Sequence, residues 1–151
     1  MKSLFTDEGL NDITVRLENL TDTSSAQWGK MDVAQMLKHC QGPLQVGLGI
    51  TPLQTKNIGF LKKLLFKAFK PTMYNDKPWK RNLPTVEQYI VVDSHEFVHE
   101  KEILKNLIHD FSNEKEKTDW QPHPYFGTFT PDQWGQLQYK HLDHHLKQFG
   151  V

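Results

Sequence analysis

Of the side chains suited to chemistry, histidine stands out, with eight in 151 residues. Two of them are set apart by spacing. His141 and His145 lie at i and i+4 in a segment that opens at Thr130-Pro131-Asp132-Gln133. At about 100° per residue, Trp134, Leu137, Gln138, His141, His145 and Gln148 share one helical face, with the two histidines near its centre and His144 on its flank. Two imidazoles side by side on a core-facing stripe can bind one metal ion. The alternative is a pair of core histidines hydrogen-bonded to neighbours or water. Periodicity fixes no third ligand. His39 lies at the edge of its own apolar stripe. His95 and His99 form another i, i+4 pair, but opposite Phe97, Leu104 and Phe111, which predicts a solvated face. His109 has no evident role, and His123, before Pro124, either caps a pocket or stands exposed. Cys40, the lone cysteine, makes neither an internal disulfide nor a cysteine-based zinc site, and next to His39 it is expected to pack as a small hydrophobe.

The elements that must position these groups are helical. Leu10, Ile13, Leu17 and Leu20 recur at three and four residues, with Thr6 or Asp7 as N-cap. Asp32 three residues before Gln35 reads as a capping box, followed by Val33, Met36, Leu37, Cys40 and Leu44 on one side, with Pro43 freeing the carbonyl of His39. From Ile58 to Lys70, Leu61, Leu64, Leu65 and Ala68 face one way and Lys63, Lys67 and Lys70 the other, until Pro71 ends the helix. A further helix spans about Ser94 to Phe111, burying Phe97, Leu104, Leu107, Ile108 and Phe111, and Val86 to Val92 before it fits strand or helix. Residues 112–130 form a long polar linker. Thr130 as N-cap, Pro131 at the first helical position and Gln133 then open a last helix that runs to Phe149 and stops at Gly150.

Composition bounds the reading. A chain of 151 residues with 37% hydrophobic and 24% charged side chains is one soluble domain, residues 1–151. Eighteen basic and eighteen acidic residues cancel, which argues against a dedicated nucleic-acid binder. The N-terminal residues lack the apolar run of a signal peptide and no later run reaches the ~18 apolar residues of a membrane span, so a cytoplasmic location is expected. The charge is uneven, however: residues 56–81 hold eight basic residues against one acid, Asp76. A packed amphipathic helix with a solvated lysine face is the expectation there. An anion-facing rim, a membrane-surface helix and a nucleic-acid contact are the functional readings, the last the weakest.

Trp28-Gly29-Lys30-Met31, Gln35-Met36-Leu37-Lys38-His39-Cys40, Asn82-Leu83-Pro84-Thr85, His123-Pro124-Tyr125-Phe126-Gly127, and the run from Trp134 through Tyr139-Lys140-His141-Leu142-Asp143-His144-His145 to Gly150 form a set of segments. Together they resemble a domain-of-unknown-function branch of the DinB/YfiT-like superfamily of metalloenzymes. The resemblance implies an all-α, up-down four-helix bundle, here with one extra short amphipathic helix and long loops. It further implies a divalent metal, zinc or nickel, on three histidines that fall by position on His39, His141 and His145. His144 matches the branch's paired histidines without being one of the ligands.

Three neutral imidazoles leave a position open on such an ion for water or substrate, the mark of a catalytic rather than a structural site. Some members of the superfamily use low-molecular-weight thiols, so the resemblance implies a metal-dependent enzyme, thiol S-transferase-like or hydrolase-like, that uses a low-molecular-weight thiol or water toward a small electrophilic substrate. The alternative is a non-catalytic bundle that binds metal or a small ligand. His123, Tyr125 and Trp134 are the candidate substrate pocket, since a proline-fixed loop before the last helix can cover the open metal position. A homodimer is a further expectation, and no nucleic-acid partner is expected.

Overall fold

Capping chemistry sets where the helices begin. Thr6 Oγ1 accepts the Gly9 N–H at 3.2 Å and starts α1 (Asp7–Glu18). The Asp32 and Gln35 capping box is formed in both directions, at 2.8 and 3.0 Å, and starts α2 (Val33–Leu48). α3 (Phe60–Phe69) gives way at Pro71 to a 3-10 turn, Lys70–Met73. Glu96 caps α4 (Phe97–Asn113) by accepting the His99 N–H, and Thr130 with Gln133 boxes α5 (Pro131–Gln148) at 3.2 and 3.1 Å. A computed structural model of the protein describes residues 1–53 and 60–151, residues 60–63 by backbone alone. The expected helix start at Ile58, Lys56 at the head of the basic stretch, and the side chains of Leu61 and Lys63 lie outside the described residues.

The fold is all-α, with α1, α2, α4 and α5 packed against one another as a bundle and no strand among the described residues. Cross-helix contacts give the sense of each helix. Arg16 reaches Asp143 and Tyr139 reaches Asp12, so α1 and α5 run parallel. Gln41 meets Glu100, and a Cβ on Gly47 would touch Phe111, so α2 and α4 also run parallel. His39 lies by His145 and Pro43 by Gln138, so α2 opposes α5. Successive helices thus alternate except across residues 49–96, a crossover long enough to return the chain to the end where α2 began. Ile13, Leu17, Met36, Leu37, Leu44, Leu104, Phe111, Leu142 and Leu146 fill the bundle's interior, each 2% exposed or less.

Three local expectations change. Val86–Val92 is neither strand nor full helix, since only a 3-10 turn, Glu87–Tyr89, forms there. α4 starts at Phe97, so His95 precedes it and the His95, His99 pair does not share a helix face. His99 is exposed, but His95 is half-buried and its Nδ1 lies 3.0 Å from the Glu100 carboxylate. Buried Glu100 also accepts Gln41 Nε2 at 2.6 Å. A buried carboxylate must be paired, and that requirement overrides the exposure that periodicity assigned to His95. The third change is at α3, whose leucines were expected to pack: Leu64 and Leu65 are each 56% exposed.

Candidate metal centre

α2 delivers His39 and antiparallel α5 delivers His141 and His145. One ligand atom from each lies within 4.8 Å of the others, and the Nε2 atoms of His39 and His141 stand 3.3 Å apart. Two nitrogens held about 2.0–2.1 Å from one tetrahedral ion are themselves roughly 3.3–3.4 Å apart, so this pair already has the spacing of two ligands.

The protonation of the ring nitrogens is set by neighbours. His39 Nδ1 lies 2.8 Å from the carbonyl of Tyr89. A carbonyl can only accept, so Nδ1 carries the proton and Nε2 is left with a lone pair. His145 Nδ1 lies 2.8 Å from Gln148 Oε1, and Gln148 Nε2 donates to the carbonyl of Trp28 at 2.6 Å, which orients the amide with its oxygen toward the imidazole. Nε2 of His145 is free for the same reason. His141 Nδ1 is buried without a hydrogen-bond partner.

Burial sets the charge. Desolvation lowers the pKa of His39, lowers that of His145 to about 3, and lowers that of His141 well below the ordinary value, where the neighbouring histidines add to it. All three are neutral at pH 7, the form that binds metals. Ligand type, charge, spacing and outer hydrogen bonds therefore fit a divalent ion such as zinc, and the three residues could hold one.

These histidines line a cavity of about 630 Å³. Every residue expected on the shared face of α5, from Trp134 to Gln148, lines it too, and His144 stands at its edge between Trp28 and Trp79. The three candidate pocket residues, His123, Tyr125 and Trp134, lie on the same wall. His123 belongs to a closed turn. Its N–H and C=O pair with Gly127 at 2.9 and 2.8 Å, and Gly127 adopts a φ of +72° that favours glycine. The His123 ring packs on Phe126 with centroids 4.9 Å apart, and burial lowers its pKa to about 4. Trp134 Nε1 and Gln138 Oε1 are buried without partners, on two residues that line this mostly apolar cavity. Among the described lining residues there is no Asp or Glu.

Tyr89 was missed by sequence reasoning because it acts through its backbone carbonyl, which no side-chain pattern marks, and it lies in the crossover. Gln148 was on the right face, at i+3 from His145, but nothing in the spacing marked it as the imidazole's partner. Lys140 was also unmarked. It is buried, and its ammonium donates to the Thr72 and Asn75 carbonyls and to Asn75 Oδ1, each at 2.7 Å, tying the segment before Trp79 onto α5. Cys40 is buried 4 residues from Met36, with its pKa raised by burial, and packs as expected.

A family model described as "Protein of unknown function (DUF1569)" matches residues 2–150. No curated protein and no solved structure matches the chain.

Proposed function

The chain belongs to the DUF1569 family, whose description names no activity, and from the site we propose a divalent-metal-dependent enzyme of the DinB/YfiT-like kind. His39, His141 and His145 hold zinc or nickel. The co-reactant is a low-molecular-weight thiol or water, and the substrate is a small electrophile with enough apolar surface to suit the cavity. One observation carries this reading: His39 and His145 each have Nδ1 committed to an outer acceptor, Tyr89 O and Gln148 Oε1, which leaves Nε2 of each as the nitrogen with a lone pair for an ion. Such outer acceptors orient metal-binding imidazoles and raise their basicity. A bound ion would supply a Lewis acid that lowers the pKa of a coordinated water or thiol. The protein's own part is to exclude water with Trp28, Trp79 and the His123 turn and to enclose the apolar part of the substrate in the cavity.

Elemental analysis of protein purified without an affinity tag tests the site. About one zinc or nickel per chain is expected, and less than about a tenth of that in His141→Ala. Wild-type protein that stays metal-free after supplementation with either ion rejects the reading. A second reading, a bundle that binds metal or a small ligand without turnover, is favoured by the lack of any carboxylate among the described cavity residues to serve as general base. Thiol-transfer and hydrolysis assays on the metal-loaded protein separate the two.

A further inference from the structure

The crossover carries an apolar face that is exposed among the described residues. On α3, Leu64, Leu65, Ala68 and Phe69 fall within one arc of the helix, and all four are exposed, the leucines at 56% and Phe69 at 52%. Leu83 and Ile90, further along the crossover, are also exposed and line the histidine cavity. Isolated exposed leucines are ordinary, whereas a contiguous apolar arc on a helix marks a contact surface. The helix is nonetheless tied to the cavity wall, because Phe66 turns inward and packs its ring on Tyr125 with centroids 5.1 Å apart.

Charge identifies what covers this face. Residues 56–81 hold eight basic residues and one acid, while the rest of the chain has ten and seventeen. Lys67 is exposed on α3 itself, and Lys77, Lys80 and Arg81 are exposed further along the crossover. A second copy would meet this face with the same face across a twofold axis, setting lysines against lysines. A nucleic acid would match the charge and leave the leucines in water. Apolar residues flanked by cations on one short helix match an anionic bilayer surface, where the leucines enter the acyl boundary and the lysines meet the headgroups. We propose that α3 and the basic crossover dock the protein on anionic lipid membranes, with the histidine cavity opening beside the docked face. The docking does not depend on whether the histidines hold a metal.

Co-sedimentation with lipid vesicles tests this, using phosphatidylcholine alone and phosphatidylcholine with about one-third phosphatidylglycerol. The expected result is at least about tenfold stronger partitioning to the anionic vesicles, weakened by salt. The double variant Leu64→Ser, Leu65→Ser, which keeps the net charge and changes only exposed side chains, is expected to lose at least about fivefold of that partitioning with its thermal unfolding unchanged. No binding to anionic vesicles overturns the proposal. Binding that the double variant retains in full assigns the contact to charge alone and overturns it as well. So does a concentration-dependent wild-type dimer that the double variant abolishes, because the face then belongs to a second copy.

Discussion

Gln148 decides which nitrogen of His145 is free. Its carbonyl oxygen accepts the Nδ1 proton at 2.8 Å, and the carbonyl of Trp28 holds its amide from the other side at 2.6 Å. Truncation to Gln148→Ala removes the acceptor, lets the imidazole turn and leaves its tautomer unfixed. Zinc affinity is expected to fall by about 10–100-fold, the usual effect of losing such a partner, as measured by competition with a chromophoric chelator. Unchanged affinity would mean that His145 is positioned by packing alone. The placement of His141, His145 and Gln148 on one cavity wall is legible in the sequence because a single helix carries them and its period fixes their phase. His39 differs. Its ring is set by a carbonyl 50 residues away in the chain, in a segment with no period to read, so the residues alone left it at the edge of a stripe and only resemblance to a family nominated it.

Between elements, the contact of α2 with the crossover carries the third ligand. A Cβ on Gly42 would come within 2.6 Å of the Tyr89 ring, so the glycine is what lets Tyr89 lie on α2 with its carbonyl at His39. Gly42→Ala is favourable as a helix substitution, by roughly 1 kcal/mol, but must push the ring, and the carbonyl with it, away. A drop of roughly tenfold in zinc affinity is expected while α2 stays helical, and titration calorimetry alongside circular dichroism checks both. The His123 turn makes a separate prediction. Tyr125 lines the cavity and touches no metal ligand, so Tyr125→Ala is expected to leave metal content intact and weaken thiol binding, read from the visible spectrum of the cobalt-substituted protein. An unaltered thiol titration would show that the turn only plugs the bundle's end. The four bundle helices announce themselves by caps and period. The crossover after α3 does not, because its prolines and short apolar runs take their shape from anchors such as Lys140 and Tyr89, which exist only once the bundle has formed.

For the molecule as a whole, a bundle that keeps several imidazoles neutral and buried is vulnerable to acid. The pKa values of His39, His123, His141, His144 and His145 are all lowered, with burial the largest cause in each, that of His123 to about 4 and that of His145 to about 3. Unfolded histidine takes up its proton near pH 6.5. Between that pH and the folded values the unfolded state binds more protons, so stability is fully present above about pH 6.5 and is lost as the pH falls. At about 1.4 kcal/mol per pKa unit, His123 alone accounts for roughly 3 kcal/mol by pH 4, a large part of the ~5–15 kcal/mol that a domain of this size has. The metal-free protein is therefore expected to show a markedly lower urea midpoint at about pH 5 than at about pH 7.5, and His123→Phe is expected to flatten that dependence by close to one proton. A divalent ion acts in the same direction as neutral pH, since it binds only deprotonated imidazoles brought together by the fold. At a hundredfold excess over Kd it adds about 2.7 kcal/mol, roughly 5–10 °C in melting temperature, at pH 7.5 and far less at pH 5. Equal urea midpoints at the two pH values would contradict the burial of these histidines, and a metal-independent melting temperature at pH 7.5 would contradict their assembly into one centre.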